Sequence, residues 1–346
     1  MESVHLKSLC FQERPKAAFL TRNDCPFLPQ IFDNSIKKRI AQSADLLPII
    51  LTPANYDQYK VQAQEVEILF TCWGMPVECV LNPEQFPKLR ILFFSGGSTK
   101  AFSRPLLKRG VQVVSARTAN AISVAHFCLG QILLSCKGYF QNTEHCRRHT
   151  TTRSDIAFVG AGVYDETIAL IGMGAVGQEL ALLLQHFPVR ILAVDPYLTE
   201  DDANIFRVKL VTLEEAFAQA YVVSNHLPDL PNLQGILNRR LFSSMRPSAT
   251  FINTGRGAQV NETDLIEVFK QRTDLTALLD VTMPEPPVPE SPLYRLPNIQ
   301  LSSHIAGAMH KELRRLGDFI IDELTQYVQG KPLIHADSLE SLDRLA

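Results

Sequence analysis

The chain has 346 residues, enough for about two domains, and its 46% hydrophobic and 20% charged residues are ordinary for a globular protein. Its 34 basic and 36 acidic residues give a formal net charge of −2, so there is no overall basic surplus of the kind that binds nucleic acid. Seven cysteines without a Cys-x-x-Cys pair argue against a disulfide framework and against a zinc ribbon.

Membrane insertion and secretion are not expected either. No uninterrupted apolar run approaches the roughly 18 residues that a membrane helix needs. The most apolar stretch, residues 168–184, is interrupted by Gln178 and Glu179. Residues 1–5 lack the basic start and the apolar continuation of a secretion signal. We therefore expect a cytoplasmic protein of mixed α/β type with no membrane or nucleic-acid partner.

Short apolar runs alternate with helical stretches in the first third of the chain. Proline, glycine or asparagine bounds each run, which is typical of buried parallel strands. Helices are predicted over residues 30–41 and, from its apolar length, over residues 119–139. The predicted strands of this third are residues 17–21, 67–72, 89–94 and 111–115.

Residues 141–165 are polar and contain glycines, which indicates a surface connection or an arm. His145 and His149 flank a Cys-Arg-Arg stretch within it, and one could imagine them as metal ligands. The connection does not offer the full set of partners that a metal site needs, so both histidines are predicted to be solvated. We predict no metal site.

A denser series of strands and helices follows, and this alternation predicts a parallel sheet with right-handed crossovers. One spacer has a capping-box pattern, Thr212-x-x-Glu215. An amphipathic last helix is predicted over residues 310–330, and a domain boundary near residue 118. The predicted strands of the series are residues 168–172, 190–194, 221–225, 249–253, 275–280 and 299–302.

The sharpest local pattern is a glycine-rich turn between a predicted strand and a predicted helix. Gly172, Gly174 and Gly177 have the G-x-G-x-x-G spacing of dinucleotide-binding turns. In such turns the first glycine allows the tight bend, the second lets a pyrophosphate approach, and the third lets the helix pack closely. The backbone N–H groups that begin the helix, near Ala175 and Val176, would then face the phosphates.

Asp195 ends the next predicted strand, 18 residues after Gly177. A carboxylate at this place can accept hydrogen bonds from both ribose hydroxyls and repels a 2′-phosphate, which favours NAD over NADP. Taken alone, Asp195 also has an ordinary explanation, as a turn residue before Pro196. Because it stands in register with the glycines, we predict that it binds the cofactor.

Three strand ends in the second series carry unusual polar residues, and the carboxyl ends of parallel strands are where ligands bind in such sheets. Arg256 stands between two glycines, Glu285 lies among prolines five residues after Asp280, and His304 precedes a turn of small residues. Each also has an ordinary explanation, as an exposed turn arginine, a solvated glutamate, and a surface or core histidine.

Together these three residue types suit hydride transfer to or from a 2-hydroxy or 2-oxo acid. The guanidinium fork of Arg256 would bind the carboxylate and polarise the C2 oxygen. His304 would accept or donate the hydroxyl proton, and Glu285 beside it would favour the imidazolium form. The hydride chemistry itself belongs to the nicotinamide cofactor.

These motifs, in this order, resemble those of the D-isomer-specific 2-hydroxyacid dehydrogenases, the family of phosphoglycerate, D-lactate and glyoxylate/hydroxypyruvate enzymes. The resemblance covers nearly the whole chain and includes the glycine turn with residues 195–197 and residues 223–228, 251–261, 279–286 and 303–307. It implies a catalytic trio of Arg256, Glu285 and His304. The further cofactor residues that it implies are Thr254 and Asp280 at the nicotinamide end and His226 and Pro228 along the adenosine.

The resemblance also implies two Rossmann-like α/β domains with parallel sheets and a cleft between them. Residues 1–118 and 308–346 would form a discontinuous, flavodoxin-like substrate domain, and residues 119–307 the NAD-binding domain. The long helix and the arm, within residues 119–165, would contribute to a homodimer that forms through the NAD-binding domain.

Two loops of the first domain are implied to bind the small 2-hydroxy or 2-oxo acid. Gly96, Gly97 and Ser98 would offer backbone N–H groups to its carboxylate. Trp73 and Gly74 would line the pocket, as in a bacterial-type subgroup with a Trp-Gly loop, although Trp73 could equally be a core aromatic.

Two stretches depart from the family pattern. Residues 124–126 read Val-Ala-His where the family commonly has Val-Ala-Glu, which concerns the packing of the hinge helix. Residues 98–100 read Ser-Thr-Lys where the substrate loop usually ends with an aspartate, which concerns the choice of substrate.

The leading hypothesis is therefore an NAD-dependent D-2-hydroxyacid dehydrogenase, or 2-oxo acid reductase. A non-catalytic NAD(H)-sensing regulator on the same scaffold, like the C-terminal-binding transcriptional corepressors, is the alternative, because those proteins keep the trio as well. A methyltransferase or a flavoprotein could share the glycine turn but would leave the trio unexplained.

Overall fold

The alternation of strands and helices produces two parallel sheets in the computed structural model, which describes residues 14–23, 25–149 and 160–344. The sheets belong to two compact units, the first ending at Asn120 and resuming at Ala308, and the second running from Ala121 to Gly307. Two parallel α/β sheets confirm the predicted fold class. The functional role given to each domain stays a prediction.

Twelve strands and thirteen α-helices lie within the described residues and are numbered in chain order. The strands are β1 (Lys16–Leu20), β2 (Asp45–Leu51), β3 (Ile68–Cys72), β4 (Ile91–Ser95), β5 (Gln112–Ser115), β6 (Glu166–Ile171), β7 (Val189–Val194), β8 (Lys209–Leu210), β9 (Val222–Asn225), β10 (Thr250–Asn253), β11 (Thr276–Leu279) and β12 (Ile299–Leu301). The helices are α1 (Leu28–Ile31), α2 (Asn34–Ser43), α3 (Lys60–Gln64), α4 (Val77–Leu81), α5 (Ser103–Lys108), α6 (Arg117–Cys136), α7 (Tyr139–His149), α8 (Ala175–Leu184), α9 (Glu200–Phe206), α10 (Leu213–Gln219), α11 (Arg239–Ser244), α12 (Glu262–Gln271) and α13 (Leu313–Val328).

Unit 1 is built around a five-stranded parallel sheet in the order β2-β1-β3-β4-β5, the order of flavodoxin-like sheets. β3 and β4 are buried along their whole length, because helices cover both faces of such a sheet. α13 packs against α1, α2 and β4. A Cβ at Gly317 of α13 would lie 2.3 Å from the Ile31 carbonyl oxygen, so glycine permits this close approach. The unit is discontinuous in sequence because α13 completes it.

Two elements of unit 1 differ from the prediction. β2 is apolar but is not among the predicted strands, because Pro48 interrupts its run of leucine and isoleucine residues; a strand with an interior proline is tolerated at the edge of a sheet, where β2 lies. The helix predicted over residues 30–41 is divided into α1 and α2. The division falls at Asp33, whose carboxylate accepts hydrogen bonds from the Ser35 and Ile36 N–H groups and caps α2.

Unit 2 contains a seven-stranded parallel sheet in the order β12-β11-β10-β9-β6-β7-β8. The strand order reverses beside β6, with β7 and β8 on one side and β9 to β12 on the other. The predicted capping box is present, since Thr212 and Glu215 each accept a hydrogen bond from the other's backbone N–H. β8 is not predicted because its two residues are too short to form a pattern.

The stretch of sequence that links β5 to β6 also differs from the prediction. Residues 139–149, expected mainly as an irregular connection, form α7, whereas residues 150–159 of that connection lie outside the described residues. By length and composition alone α6 could cross a membrane, since Arg117 is its one charged residue, although polar residues interrupt its apolar positions. Its residues Ala125, Cys128 and Ile132 are fully buried in unit 2, and a buried core helix meets the same criterion.

A buried carboxylate joins the C-terminal segment of unit 1 to the loop after β4. Asp337 accepts hydrogen bonds from the hydroxyls of Thr99 and Ser103, each at 2.6 Å, and its side chain is fully buried. The Arg117 guanidinium lies 2.5 Å from its other oxygen. Residues 98–100 contain no acidic residue, and the carboxylate that contacts Thr99 comes from the C-terminal segment.

Replacing Asp337 with alanine is expected to lower the free energy of unfolding by about 3 kcal/mol, because it leaves Arg117 without its buried counter-charge. Chemical denaturation followed by circular dichroism measures this change. The matched control is Asp343→Ala, which breaks the exposed pair with Arg104 and should cost at most about 0.5 kcal/mol. Equal effects of the two replacements would show that the buried network does not stabilise unit 1.

Candidate functional site

The three predicted catalytic residues follow three neighbouring strands of unit 2. β10 pairs with β11 and β11 with β12, all in parallel, so their carboxyl ends lie at the same edge of the sheet. Arg256, Glu285 and His304 stand in the loops that leave this edge. The positions in sequence could not by themselves establish that these strands are adjacent.

His304 and Glu285 form a hydrogen-bonded pair. The imidazole Nδ1 lies 2.6 Å from a carboxylate oxygen of Glu285, and the two side chains are 52% and 42% exposed. Because a carboxylate accepts at Nδ1, a neutral His304 carries its proton there and presents Nε2 as an acceptor. A protonated His304 would be an ion-pair partner of Glu285 that can donate from Nε2. The pair is therefore suited to exchange one proton with a ligand.

The loop that carries His304 is held by Asp280. His304 has a left-handed backbone, with φ 56°, and its N–H donates to the Asp280 carbonyl oxygen at 3.0 Å. The buried Asp280 carboxylate accepts from the Ser302 hydroxyl at 2.6 Å and from the Ile305 and Ala306 N–H groups at 2.9 Å. A non-glycine residue in this conformation is uncommon, and these bonds support it. Asp280 is thus a positioning residue for His304, a role that its place in sequence did not suggest.

The Arg256 loop packs directly on the segment that leads to Glu285. A Cβ at Gly257 would lie 2.1 Å from the Thr282 carbonyl oxygen, so this glycine is required by a backbone contact. Arg256 is partly buried, and its guanidinium donates to the Gly255 carbonyl oxygen at 2.8 Å. The sequence analysis expected the backbone to pass close to another group at these glycines. The structure shows that this group is the backbone at Thr282.

Three buried amide side chains, which the sequence analysis did not single out, connect the loops after β9 and β10. Asn225 donates to Asn253 at 2.9 Å and to Gln259 at 2.6 Å. Gln259 in turn donates to the carbonyl oxygens of Leu227 and Pro228 at 2.7 and 2.8 Å and accepts from the Arg256 N–H. In the sequence, this network could have been found from the polar side chains at the ends of the strands β9 and β10.

The glycine turn between β6 and α8 has the conformation that its spacing predicts. Gly172 has φ 92°, which favours glycine, and a Cβ at Gly177 would lie 2.2 Å from the Gly172 carbonyl oxygen. A Cβ at Gly174 would meet nothing within 4 Å, and no side chain caps α8 there. The uncapped N–H groups of the ten-residue α8, from Ala175 and Val176 onward, therefore fit a dinucleotide phosphate.

Asp195 contacts the glycine turn from the end of β7. One of its carboxylate oxygens accepts from the Met173 N–H at 2.7 Å, and the other accepts from the Tyr197 N–H at 2.8 Å. The bond from the Tyr197 N–H closes a turn at Pro196, so Asp195 is also the turn residue that its ordinary explanation describes. The bond from the Met173 N–H places the carboxylate beside the glycine turn, where the prediction needs it. Asp195 is partly exposed.

His226 and Thr254, two further predicted cofactor residues, contact each other. The His226 Nδ1 lies 3.2 Å from the Thr254 hydroxyl, which is also 3.3 Å from the Cys128 sulfur. Desolvation by burial lowers the pKa of His226 to about 3, so its ring is neutral near pH 7. Its Nε2 is buried without a hydrogen-bond partner among the described residues.

The comparison with protein families decides the classification. A model described as "D-isomer specific 2-hydroxyacid dehydrogenase, NAD binding domain" matches residues 129–306, about half of the chain. The chain belongs to this family. Its glycine turn, Asp195 and the three catalytic candidates all lie within the matched NAD-binding domain.

Individual proteins are similar over parts or most of the chain. The D-3-phosphoglycerate dehydrogenase of Archaeoglobus fulgidus is 29% identical over 236 residues, 68% of this chain and 44% of that protein. YoaD of Bacillus subtilis, named provisionally as a 2-hydroxyacid dehydrogenase, is 34% identical over 207 residues, 58% of this chain and 59% of that protein. The chain thus spans less than two thirds of these curated relatives.

A solved structure extends the likeness of fold to nearly the whole chain. The apo form of Rhodotorula graminis D-mandelate dehydrogenase superposes with a TM-score of 0.76, covering 94% of this chain and 98% of that one. At 19% identity this comparison shows the fold alone.

The loops that this family resemblance assigns to substrate lie in unit 1. The Gly96 and Gly97 carbonyl oxygens accept from the Ser115 hydroxyl at 3.0 and 2.6 Å, which holds the loop after β4 to the end of β5. Trp73 is half-buried and packs against the core, with its ring 5.6 Å from that of Phe27. The ordinary explanation of Trp73 as a core aromatic therefore describes its packing, and the substrate roles of Trp73, Gly74 and Ser98 stay predictions.

Metal-ligating side chains do not cluster in the described parts of the chain: no three His, Cys, Asp or Glu residues there could hold one ion together. His145 lies on α7 rather than in an irregular loop, and its ring Nε2 is buried, so the prediction of a solvated side chain is wrong for this residue. His149 ends the same helix.

Proposed function

We propose that this protein is an NAD-dependent dehydrogenase that transfers a hydride between nicotinamide and C2 of a small D-2-hydroxy acid or the matching 2-oxo acid. The observation that carries the proposal is the 2.6 Å pair of His304 and Glu285, exposed at a sheet edge of an NAD-binding domain. A proton donor at this place is what reduction of a 2-oxo acid requires in addition to a hydride.

Residues of unit 2 would hold the cofactor. The N–H groups at the start of α8 would bind its pyrophosphate, and Asp195 a ribose. His226, Pro228, Thr254 and Asp280 belong to loops at the same sheet edge and complete the predicted cofactor set. The nicotinamide supplies the hydride acceptor for oxidation and the hydride donor for reduction.

The chain's own residues would manage the proton and the substrate's charge. During reduction the imidazolium of His304 donates its Nε2 proton to the C2 oxygen, and during oxidation the neutral ring accepts it. Glu285 stabilises the imidazolium and fixes the ring. Arg256 binds the carboxylate and stabilises negative charge that develops on the C2 oxygen.

The remaining elements of the proposal come from the family resemblance. Gly96, Gly97 and Ser98 bind the substrate carboxylate, Trp73 and Gly74 contact the substrate side chain, and the chain forms a homodimer through its NAD-binding domain in the cytoplasm. Size-exclusion chromatography with light scattering tests the dimer directly.

The activity is tested with purified protein, NADH and a panel of glyoxylate, hydroxypyruvate, pyruvate and longer 2-oxo acids. We expect at least one of them to oxidise NADH, and the loss of NADH absorbance measures this reaction. Tight NADH binding without oxidation by any member of the panel would contradict the proposal and favour an NAD(H)-sensing regulator. No binding of NADH would contradict both.

Asp195→Ala is expected to lower the preference for NADH over NADPH by about tenfold or more. The carboxylate repels the 2′-phosphate of NADPH, and a contact between like charges costs about 1.4 kcal/mol or more. The measurement is the ratio of kcat/KM for the two cofactors. Asp195→Asn serves as the control for geometry, since it keeps an oxygen acceptor for the Met173 N–H without the charge. Unchanged selectivity in both variants would remove Asp195 from this role.

A further inference from the structure

Two cysteines of unit 1 lie in contact beside Trp73. The Cys25 and Cys72 sulfur atoms are 3.6 Å apart. Cys72 is buried at the end of β3, while Cys25 is partly exposed in the irregular stretch before α1. We propose that Cys25 and Cys72 are an oxidation-sensitive pair that forms a reversible disulfide when the protein meets a peroxide.

The distance and the setting of the two side chains allow this bond. A disulfide needs its sulfurs about 2.05 Å apart, so the pair must close by about 1.5 Å. Cys72 is fixed by strand pairing, but Cys25 lies outside regular structure and can make this movement. Its sulfur now donates to the Trp73 carbonyl oxygen at 3.1 Å, a contact that the disulfide would replace.

The two thiols have different reactivity. Burial alone would raise the pKa of Cys25, but the nearby Thr21 hydroxyl, the backbone at the start of α1 and the Cys72 thiol together lower it below its ordinary value. Burial and the neighbouring Cys25 sulfur raise the pKa of Cys72 well above its ordinary range. Cys25 therefore ionises first, and because the thiolate is the reactive form, it reacts first with an oxidant.

The proposed oxidation has two steps. The Cys25 thiolate attacks one oxygen of hydrogen peroxide, so that an S–O bond forms, the O–O bond breaks and hydroxide leaves. The Cys72 sulfur then attacks the Cys25 sulfenic acid; the S–S bond forms, the S–O bond breaks, and the leaving hydroxide takes the Cys72 proton as water. Two thiols lose two electrons in total, and one peroxide is reduced to two waters. A dithiol reductant reverses the reaction.

The disulfide would alter the surroundings of Trp73, which is the single tryptophan of the chain. It would tie the stretch before α1 to the residue that precedes Trp73. That stretch already contacts this loop, since the Arg22 N–H donates to the Gly74 carbonyl oxygen at 2.9 Å and Phe27 packs edge-on against the indole. An effect on substrate binding would follow only if the proposed function of the Trp73 loop holds, whereas the disulfide itself does not depend on it.

The test uses the full chain treated with hydrogen peroxide, blocked with a thiol reagent and analysed by mass spectrometry and tryptophan fluorescence. We expect loss of two hydrogen atoms, a tryptic link between residues 23–37 and 61–88, and a fluorescence change, all reversed by dithiothreitol. Cys25→Ser and Cys72→Ser should abolish the link and the reversible fluorescence change. Cys79→Ser, the matched control, removes the other cysteine of the second peptide and should keep both.

Several results would overturn the proposal. These are sulfinic or sulfonic acid on Cys25 with Cys72 still free, a link that persists in Cys72→Ser, or no mass change in the wild-type chain. Cys72→Ala accompanies Cys72→Ser because the site is buried, and circular dichroism confirms that each variant is folded. No substrate or NADH is present in these measurements, so failure of the proposed enzymatic function would not affect their outcome.

Discussion

His304→Gln should lower kcat for reduction of the best 2-oxo acid by about 10²–10⁴-fold while the affinity for NADH stays nearly unchanged. Glutamine keeps a polar side chain in the loop that Asp280 holds, but it cannot donate a proton to the C2 oxygen or take one back. NADH affinity is measured by cofactor fluorescence, and kcat by NADH oxidation at saturating substrate.

The control for His304 is the same replacement at His186, an exposed residue just beyond the end of α8. His186→Gln should leave kcat within about twofold of the wild type, as is usual for an exposed position without a structural role. A kcat within tenfold of the wild type in His304→Gln would remove His304 as the general acid–base. Loss of NADH affinity in that variant would instead indicate that the replacement disturbs the cofactor domain.

Arg256→Gln should lower kcat/KM for the 2-oxo acid by about 10³-fold or more, through both a higher KM and a lower kcat. One charged group is proposed to bind the carboxylate, which affects the ground state, and to stabilise charge on the C2 oxygen, which affects the transition state. Initial-rate kinetics over a wide range of substrate concentration separates the two effects.

Two further variants sharpen the test of Arg256. Arg256→Lys keeps the charge but not the planar fork, so it should recover only part of the lost kcat/KM. Arg240→Gln is the matched control, because its side chain is 80% exposed on α11. A raised KM with an unchanged kcat in Arg256→Gln would show that Arg256 binds the substrate carboxylate without acting on the C2 oxygen.

Short-range sequence patterns predicted much of the fold and of the candidate site. Gly172, Gly174 and Gly177 predict a tight strand-to-helix turn because each place has a local steric requirement, and the structure has that turn. The alternation of strands and helices likewise predicts two parallel sheets. Arg256, Glu285 and His304 stand out because they follow strands in loops of glycine, proline or small residues.

Other features depend on residues that are far apart in sequence and could be found only in three dimensions. Asp337 meets Thr99 across 238 positions, and Cys25 meets Cys72 across 47. The support of the His304 loop by Asp280 is of the same kind. No local pattern marks such partners, because each contact is made by strand pairing and helix packing elsewhere in the unit.

The sequence by itself therefore determined the fold class, the glycine turn and the residue types of the candidate site. The tertiary structure decided that β10, β11 and β12 are neighbours, that His304 bonds to Glu285, and that buried amides join the loops around Arg256. The physical reason is range: turns and caps are set by bonds within a few residues, whereas the order of strands in a sheet is set by the packing of the whole unit.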